Sequence, residues 1–347
     1  MKLLKKNFLI WHFHIIIWSG FLLPVHAQDI HFSQFFEAPL LRNPALAGIF
    51  SGDIRLQAVY RTQWNSVTVP YQTGSFNGEY KLPIGPNDDF ITIGGQILYD
   101  KAGTIALVST HLLPALNYHK SLRADKNMYI SMGFMAGLVQ RRIDRSRVTT
   151  NSQFGGSGFD PGIADGETFP ANNYSYFDGS VGLSFNSQIG SNEENNIFLA
   201  LALHHFNKAD EISFYGVANE MTPKWVSSLG IRFGINEYGY FTLQGDYTRQ
   251  GSYKETIGGA LYTFKLDDIE DPKYQLHAGA FLRWKDAFIP VIKMDVKPLA
   301  VSVSYDINIS PLKTASQGRG GFEVSLTYQK YIDRYNSSRD AMRCPRF

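Results

Sequence analysis

Apolar and polar residues alternate one for one along most of this chain. Val301, Val303, Tyr305, Ile307 and Ile309 share one face of a segment whose other face carries Ser302, Ser304, Asp306, Asn308 and Ser310. Phe322, Val324, Leu326 and Tyr328 alternate in the same way with Glu323, Ser325, Thr327 and Gln329. The pattern returns with Phe241, Leu243, Gly245 and Tyr247, with Phe76, Gly78, Tyr80 and Leu82, and with Ile54, Leu56, Ala58 and Tyr60. Side chains on a β-strand point to opposite faces in turn, so each segment reads as a strand with one apolar and one polar side. A soluble β-sandwich shows the same alternation. Soluble strands average about five or six residues, whereas these run to about ten, the length a tilted strand needs to cross a bilayer. Aromatic residues recur at the segment ends: Tyr60, Trp64, Tyr99, Tyr118, Tyr129, Trp225, Tyr240, Trp284, Tyr328 and Tyr331. Interfacial girdles of a membrane barrel sit at such places.

The periodicity predicts about fourteen strands. They cover roughly 53–62, 72–82, 89–100, 105–119, 127–141, 175–186, 195–205, 225–235, 240–249, 253–265, 273–284, 286–296, 299–309 and 320–331. Membrane barrels keep both termini in the periplasm, with short periplasmic turns and longer outer loops. The two longest connections, about 142–174 and 206–224, follow the fifth and seventh strands and so fall outside. The fold class is therefore all-β, a transmembrane antiparallel β-barrel of about fourteen strands with a short periplasmic N-terminal arm.

Composition narrows the picture. A mean hydropathy of −0.18 excludes a bundle of membrane helices, and leaves a barrel open because half of each strand faces a polar lumen. A net charge of +2 gives no sign of a nucleic-acid partner. Lys2, Lys5 and Lys6, the apolar run from Phe8 to Leu23, and Val25-His26-Ala27 read as a secretory signal cleaved after Ala27. A single membrane anchor is the competing reading. The division that follows is a signal peptide (1–27), an N-terminal periplasmic arm (28–52), an outer-membrane barrel (53–331) and a C-terminal periplasmic tail (332–347). Cys344 stands alone, so no internal disulfide framework exists.

Residues 28–50 lack alternation and carry Pro39 and Pro44. Phe32, Phe35, Phe36, Leu40 and Leu41 form an apolar cluster that must be covered, either by the chain's own barrel mouth or by a partner. Asn43-Pro44-Ala45 is a turn signal. The segment begins Gln28-Asp29-Ile30-His31-Phe32-Ser33-Gln34-Phe35-Phe36 and continues Leu41-Arg42-Asn43-Pro44-Ala45-Leu46-Ala47-Gly48. Tyr60-Arg61 with Gln63-Trp64 follows the first strand, Phe159-Asp160-Pro161-Gly162 lies in the long loop, and Cys344-Pro345-Arg346-Phe347 ends the chain. Together these resemble the PorP/SprF family of Bacteroidetes over essentially the whole mature chain. His31 and Phe35-Phe36 depart mildly from its pattern. The resemblance implies an outer-membrane barrel of the type IX secretion system. Such a barrel would act in the export or surface attachment of secreted proteins such as gliding adhesins. On this reading Phe32, Ser33, Gln34, Phe35, Phe36, Asn43, Pro44 and Ala45, with Cys344, Pro345, Arg346 and Phe347, are the candidate partner-binding residues. The partners would be outer-membrane lipid and either a secreted adhesin-like protein or secretion components.

The chain carries no nucleophile elbow, P-loop or HExxH motif, and no cofactor or metal site is expected. His204 and His205 are adjacent, so on a strand they point apart and make a poor metal clamp. Asp267, Asp268, Glu270 and Asp271 form an acidic turn, open to Ca²⁺ or simply solvated. Arg141, Arg142, Arg145 and Arg147 lead into the long outer loop, where they could meet anionic sugars or only solvent. Three functions remain in play: a non-enzymatic secretion scaffold, a small-solute pore with a wet lumen, and a barrel hydrolase.

Overall fold

The computed structural model describes residues 29–332, apart from 66–68, 86–87, 124–125, 157, 193, 213 and 312. The expected signal peptide and the tail from Cys344 to Phe347 lie outside the described residues.

Fourteen antiparallel strands close into one barrel. They are β1 (Ile54–Gln63), β2 (Tyr71–Ile84), β3 (Asp89–Ala102), β4 (Leu107–Arg123), β5 (Met128–Arg142), β6 (Asn173–Gln188) and β7 (Asn196–His204). The second half comprises β8 (Lys224–Asn236), β9 (Gly239–Gln250), β10 (Tyr253–Lys265), β11 (Tyr274–Arg283), β12 (Ala287–Val296), β13 (Leu299–Asn308) and β14 (Arg319–Lys330). Each strand pairs with its sequence neighbour, and β1 closes the cylinder on β14 from Ile54↔Lys330 to Gln63↔Gly321. No helix among the described residues is long and apolar enough to cross a membrane, so the crossing is made by strands.

The wall is inside-out relative to a soluble protein. Leu112, Leu116, Met132, Phe134, Leu138, Leu229 and Ile292 point outward and are exposed, Met132 and Ile292 to 60% and 63%. Asn77, Lys81, Thr92, Asn117 and Glu323 point inward and are fully buried. Such an apolar belt is stable only in lipid, which needs no hydrogen bonds from the side chains that face it. The connections β5–β6 and β7–β8 carry small two-stranded ribbons, 154–155 with 158–159 and 210–212 with 218–220. They stand at the end opposite Asp53 and Ile332, the end that faces outward in barrels of this class. Phe169 packs against Tyr215 with ring centroids 4.9 Å apart, which ties these two loops together.

Tyr129 and Tyr240, both predicted girdle residues, turn inward instead. Tyr129 packs with Leu46, Ile49, Phe90 and Phe198, and Tyr240 donates to Gln275 Oε1 at 3.2 Å. Both sit at positions whose strand phase faces the lumen, where a phenol finds cover or a polar partner.

A lumen closed by the chain's own N-terminal segment

Residues 28–52 are expected to form an arm covered either by the barrel's own mouth or by a partner; residues 29–53 run up through the lumen. The segment is rooted at the periplasmic end, where Asp53 N–H donates to Lys330 O at 2.9 Å and Asp53 Oδ2 accepts from Ile332 N at 2.8 Å. It ends near the outer mouth, beside Lys224 and His205. Proline spacing allows only short turns here, so the segment advances through Phe35–Glu37, Pro39–Arg42 and Pro44–Leu46 without a continuous helix.

Its apolar side chains reach around the wall. Phe35 and Phe36 meet Ile257, Leu261, Phe281, Ile289 and Val291 on β10–β12, with Phe36 stacked on Phe281 at 5.2 Å. Leu40 and Ala47 meet Leu113, Ala115 and Met135, while Phe32 and Ala38 meet Val59 and Leu98. Contacts of this kind on several sides exclude water and account for the location: the lumen covers the cluster that solvent could not.

Polar wall residues read the backbone between these anchors. The Glu323 carboxylate accepts from Ser33 N at 2.6 Å and Gln34 N at 2.7 Å. Arg61 donates to Ser33 Oγ at 2.9 Å and Glu323 Oε1 at 2.7 Å, and pairs with Asp306 at 3.1 Å. Arg283 joins from β11, donating to Ser33 Oγ at 2.5 Å and Asp306 Oδ2 at 2.6 Å. Two arginines and two carboxylates thus balance around one serine in a buried site, the condition under which ion pairs survive desolvation. Lower down, Arg42 pairs with Asp246 at 2.5 Å, and Glu37 accepts from Gln57 at 2.6 Å and binds Lys293. Gly48 N donates to Glu79 Oε2 at 2.7 Å, and Arg55 holds Glu79 from the other side at 2.7 Å.

The Asn43-Pro44-Ala45 turn presses on the wall where the wall has no side chains. A Cβ at Gly133 would lie 2.4 Å from Ala45 N, and one at Gly182 would lie 1.8 Å from Asn43 Oδ1. These two glycines are register partners on β5 and β6. Asn43 Oδ1 caps the turn by accepting from Ala45 N at 2.7 Å, and Asn117 Nδ2 donates to Ala45 O and Ala47 O at 2.8 Å each.

At the outer mouth Asp29 contacts Lys224 and lies 3.4 Å from His205, whose Nδ1 is 2.9 Å from Asp178. Burial pushes the His205 imidazole down, but Asp178 and Asp29 outweigh it and raise its pKa to about 9. Burial likewise opposes ionisation of Asp29, yet Lys224 and His205 hold it well below the usual carboxylate value. His31 behaves oppositely. Burial leads, Arg283 and Arg61 add to it against the pull of Glu255, and its pKa falls to about 4. A neutral ring suits its contact, because Nε2 accepts from Arg283 Nη1 at 2.7 Å.

The segment divides the lumen into an outer vestibule of about 680 Å³, bordered by Asp29, His31, Arg61, Trp64 and Arg283, and an inner one of about 610 Å³, bordered by Glu37, Arg55, Lys265 and Lys293.

Residues 25–328 match the family model described as type IX secretion system membrane protein PorP/SprF. The chain belongs to this family. Family and fold together place it in the outer membrane and link it to the type IX secretion machinery. No curated protein sequence matches the chain significantly. Among solved structures, a mutant of the TodX monoaromatic hydrocarbon channel is similar at a TM-score of 0.49 and 10% identity, over 85% of this chain and 94% of that one. A Pseudomonas aeruginosa FadL homologue is similar at 0.46 and 10% identity, over 84% and 94%. The CymD monoaromatic hydrocarbon channel is similar at 0.45 and 10% identity, over 89% and 96%. At these levels none bears on what binds this PorP/SprF protein.

The family motifs converge in space. Phe32-Ser33-Gln34 meets Arg61, and Asn43-Pro44-Ala45 meets the paired glycines. By alternation Asp306 and Glu323 are ordinary members of the polar faces of two strands, and nothing in the pattern marks Arg283. The available signal lay on the inner faces, where Ile257, Leu261, Phe281, Ile289 and Val291 interrupt the polar rows of a wet lumen. His204 and His205 do not diverge as strand neighbours should. His205 lies past the end of β7 with φ +57 and turns back to Asp178, while His204 Nε2 donates to Arg42 O at 3.2 Å. Asp267 holds its own turn, accepting from Lys273 N and Tyr274 N at 3.1 Å each.

Proposed function

We propose that this protein is a plugged, non-enzymatic scaffold of the type IX secretion system that aids export or surface attachment of a secreted adhesin-like partner. The observation that carries this reading is the lumen closed by residues 29–53. A barrel whose bore is filled on several sides is suited to holding a partner at its mouths more than to passing small solutes. Phe32, Ser33, Gln34, Phe35, Phe36, Asn43, Pro44 and Ala45 act first as the plug. They become docking residues for a partner only when the segment leaves the lumen, and the tail from Cys344 to Phe347 is the second candidate docking element.

The test pairs two measurements on the full chain and on a variant lacking residues 28–48. Wild type should give little steady current in planar bilayers and should co-purify with a large secreted protein. The deletion should keep a heat-modifiable barrel, conduct, and lose the partner. Large steady current through wild type without bound protein would favour the pore, and partner capture that survives the deletion would remove the segment as the docking element.

A further inference from the structure

The lipid-facing wall carries a feature that the plug does not explain. Trp225 on β8, Arg249 on β9 and Lys254 on β10 are direct register partners, in that order, near the outer rim. Strand alternation turns all three outward, and all three are exposed. Lys254 stands at the lip and borders the outer vestibule as well. Arg249 and Lys254 have no ion-pair partner among the described residues. Trp284, 65% exposed, follows at the same rim, its backbone N–H donating to Thr256 O at 2.9 Å.

The next outward row on the same three strands is Ser227, Tyr247 and Thr256, about 7 Å deeper in the membrane. Leu229, Gly245 and Gly258 follow. Small residues in the floor, between Leu199 and Leu201 on one side and Leu243 and Tyr247 on the other, leave an open apolar groove of about 880 Å³. The belt is hollow here, beneath the Arg249 and Lys254 cations and the Trp225 indole. A cation pair at the headgroup level attracts anionic groups, indoles settle at the interface, and a groove below accepts hydrocarbon.

We propose that β8–β10 form a binding site for a phosphorylated, multiply acylated glycolipid of the outer leaflet, its phosphates on Arg249 and Lys254 and an acyl chain in the groove. The commitment to the outer leaflet follows from the cations standing at the end that carries the long loops.

The probe is bisphosphorylated lipid A, titrated onto the purified full chain in neutral detergent and read by native mass spectrometry and by tryptophan fluorescence. Wild type should bind it, and the Arg249→Gln/Lys254→Gln variant should bind about thirtyfold more weakly. Gly258→Leu fills the groove without crowding the wall, because a Cβ there meets only ordinary contacts at 3.5 and 3.7 Å. It should weaken binding while both cations remain. Dephosphorylated lipid A should bind wild type no better than it binds the double variant. Equal affinity of wild type and double variant, no effect of Gly258→Leu, or phosphatidylglycerol binding as tightly as lipid A would each overturn the proposal. Heat-modifiability of every variant controls for folding, and the phosphorylation comparison on wild type needs no variant.

Discussion

Replacing Arg61 with leucine takes away one of the cations that join the plug to the wall. Arg61 touches Ser33 Oγ at 2.9 Å, Glu323 Oε1 at 2.7 Å and Asp306 at 3.1 Å. Asp306 keeps Arg283 at 2.6 Å, so the loss falls mainly on Glu323, left with two backbone N–H donors and no direct cation. Removing one partner of a buried pair costs about 3–5 kcal/mol. The strand ladder around Arg61 is intact in either state, so the cost acts on plug docking more than on the barrel. It lowers the docked-to-undocked ratio by roughly a hundredfold to several thousandfold. Single-channel recording should therefore show Arg61→Leu opening far more often than wild type. Arg61→Leu/Glu323→Gln, which removes both charges, should recover part of the closure, since no uncompensated carboxylate remains. Unchanged conductance in the single variant, or a double variant that opens more than the single one, would refute the idea that this ion network holds the plug.

Gly182→Val should force the Asn43-Pro44-Ala45 turn off the wall, because even a Cβ meets Asn43 Oδ1 at 1.8 Å. Overpacking costs about 1–3 kcal/mol or more, and hydrogen exchange should rise across residues 43–48 first. The outer latch should weaken with alkali. His205 is raised above its unfolded value, so its contribution is complete below pH 6.5 and lost as pH climbs through about 9. Asp29, depressed, contributes above the usual carboxylate range and fails only in strong acid. Exchange of residues 29–32, corrected for intrinsic rate, should accordingly rise between pH 6.5 and about 9; a flat profile would remove His205 from the latch. In a Cys344→Ser background, a membrane-impermeant maleimide on intact cells should label Asp29→Cys and spare Ser51→Cys, and the reverse pattern would invert the path of the segment.

The strands were legible because a two-residue period is written into every one of them, and the long loops after β5 and β7 set the orientation. The path of residues 29–53 was not, since a segment without period gives no direction. Its apolar residues demanded cover, and own lumen and foreign partner satisfied that demand equally. The distinguishing information lay about 290 residues away, in Glu323. Within its own strand Glu323 is one polar residue among several, and only closure brings it to Ser33. Gly133 and Gly182 were hidden for a related reason. Glycine is common in barrel walls, and what sets these two apart is the turn that rests on them.

The reach from Ser33 to Glu323 also constrains the order of assembly. The binding site for Ser33 and Gln34 is completed by the last two strands, with Asp306 on β13 and Glu323 on β14. Until β14 joins β1, the residues that read Ser33 and Gln34 are not gathered on one surface. Contacts this distant in sequence form late, because the intervening chain must be ordered first. Seating of the N-terminal segment is therefore a report that the cylinder has sealed, and an unsealed cylinder leaves Phe32, Phe35 and Phe36 uncovered in the periplasm. There, exposed apolar side chains are what chaperones and proteases act on. The same residues that close the finished barrel would be the exposed apolar surface of an unfinished one.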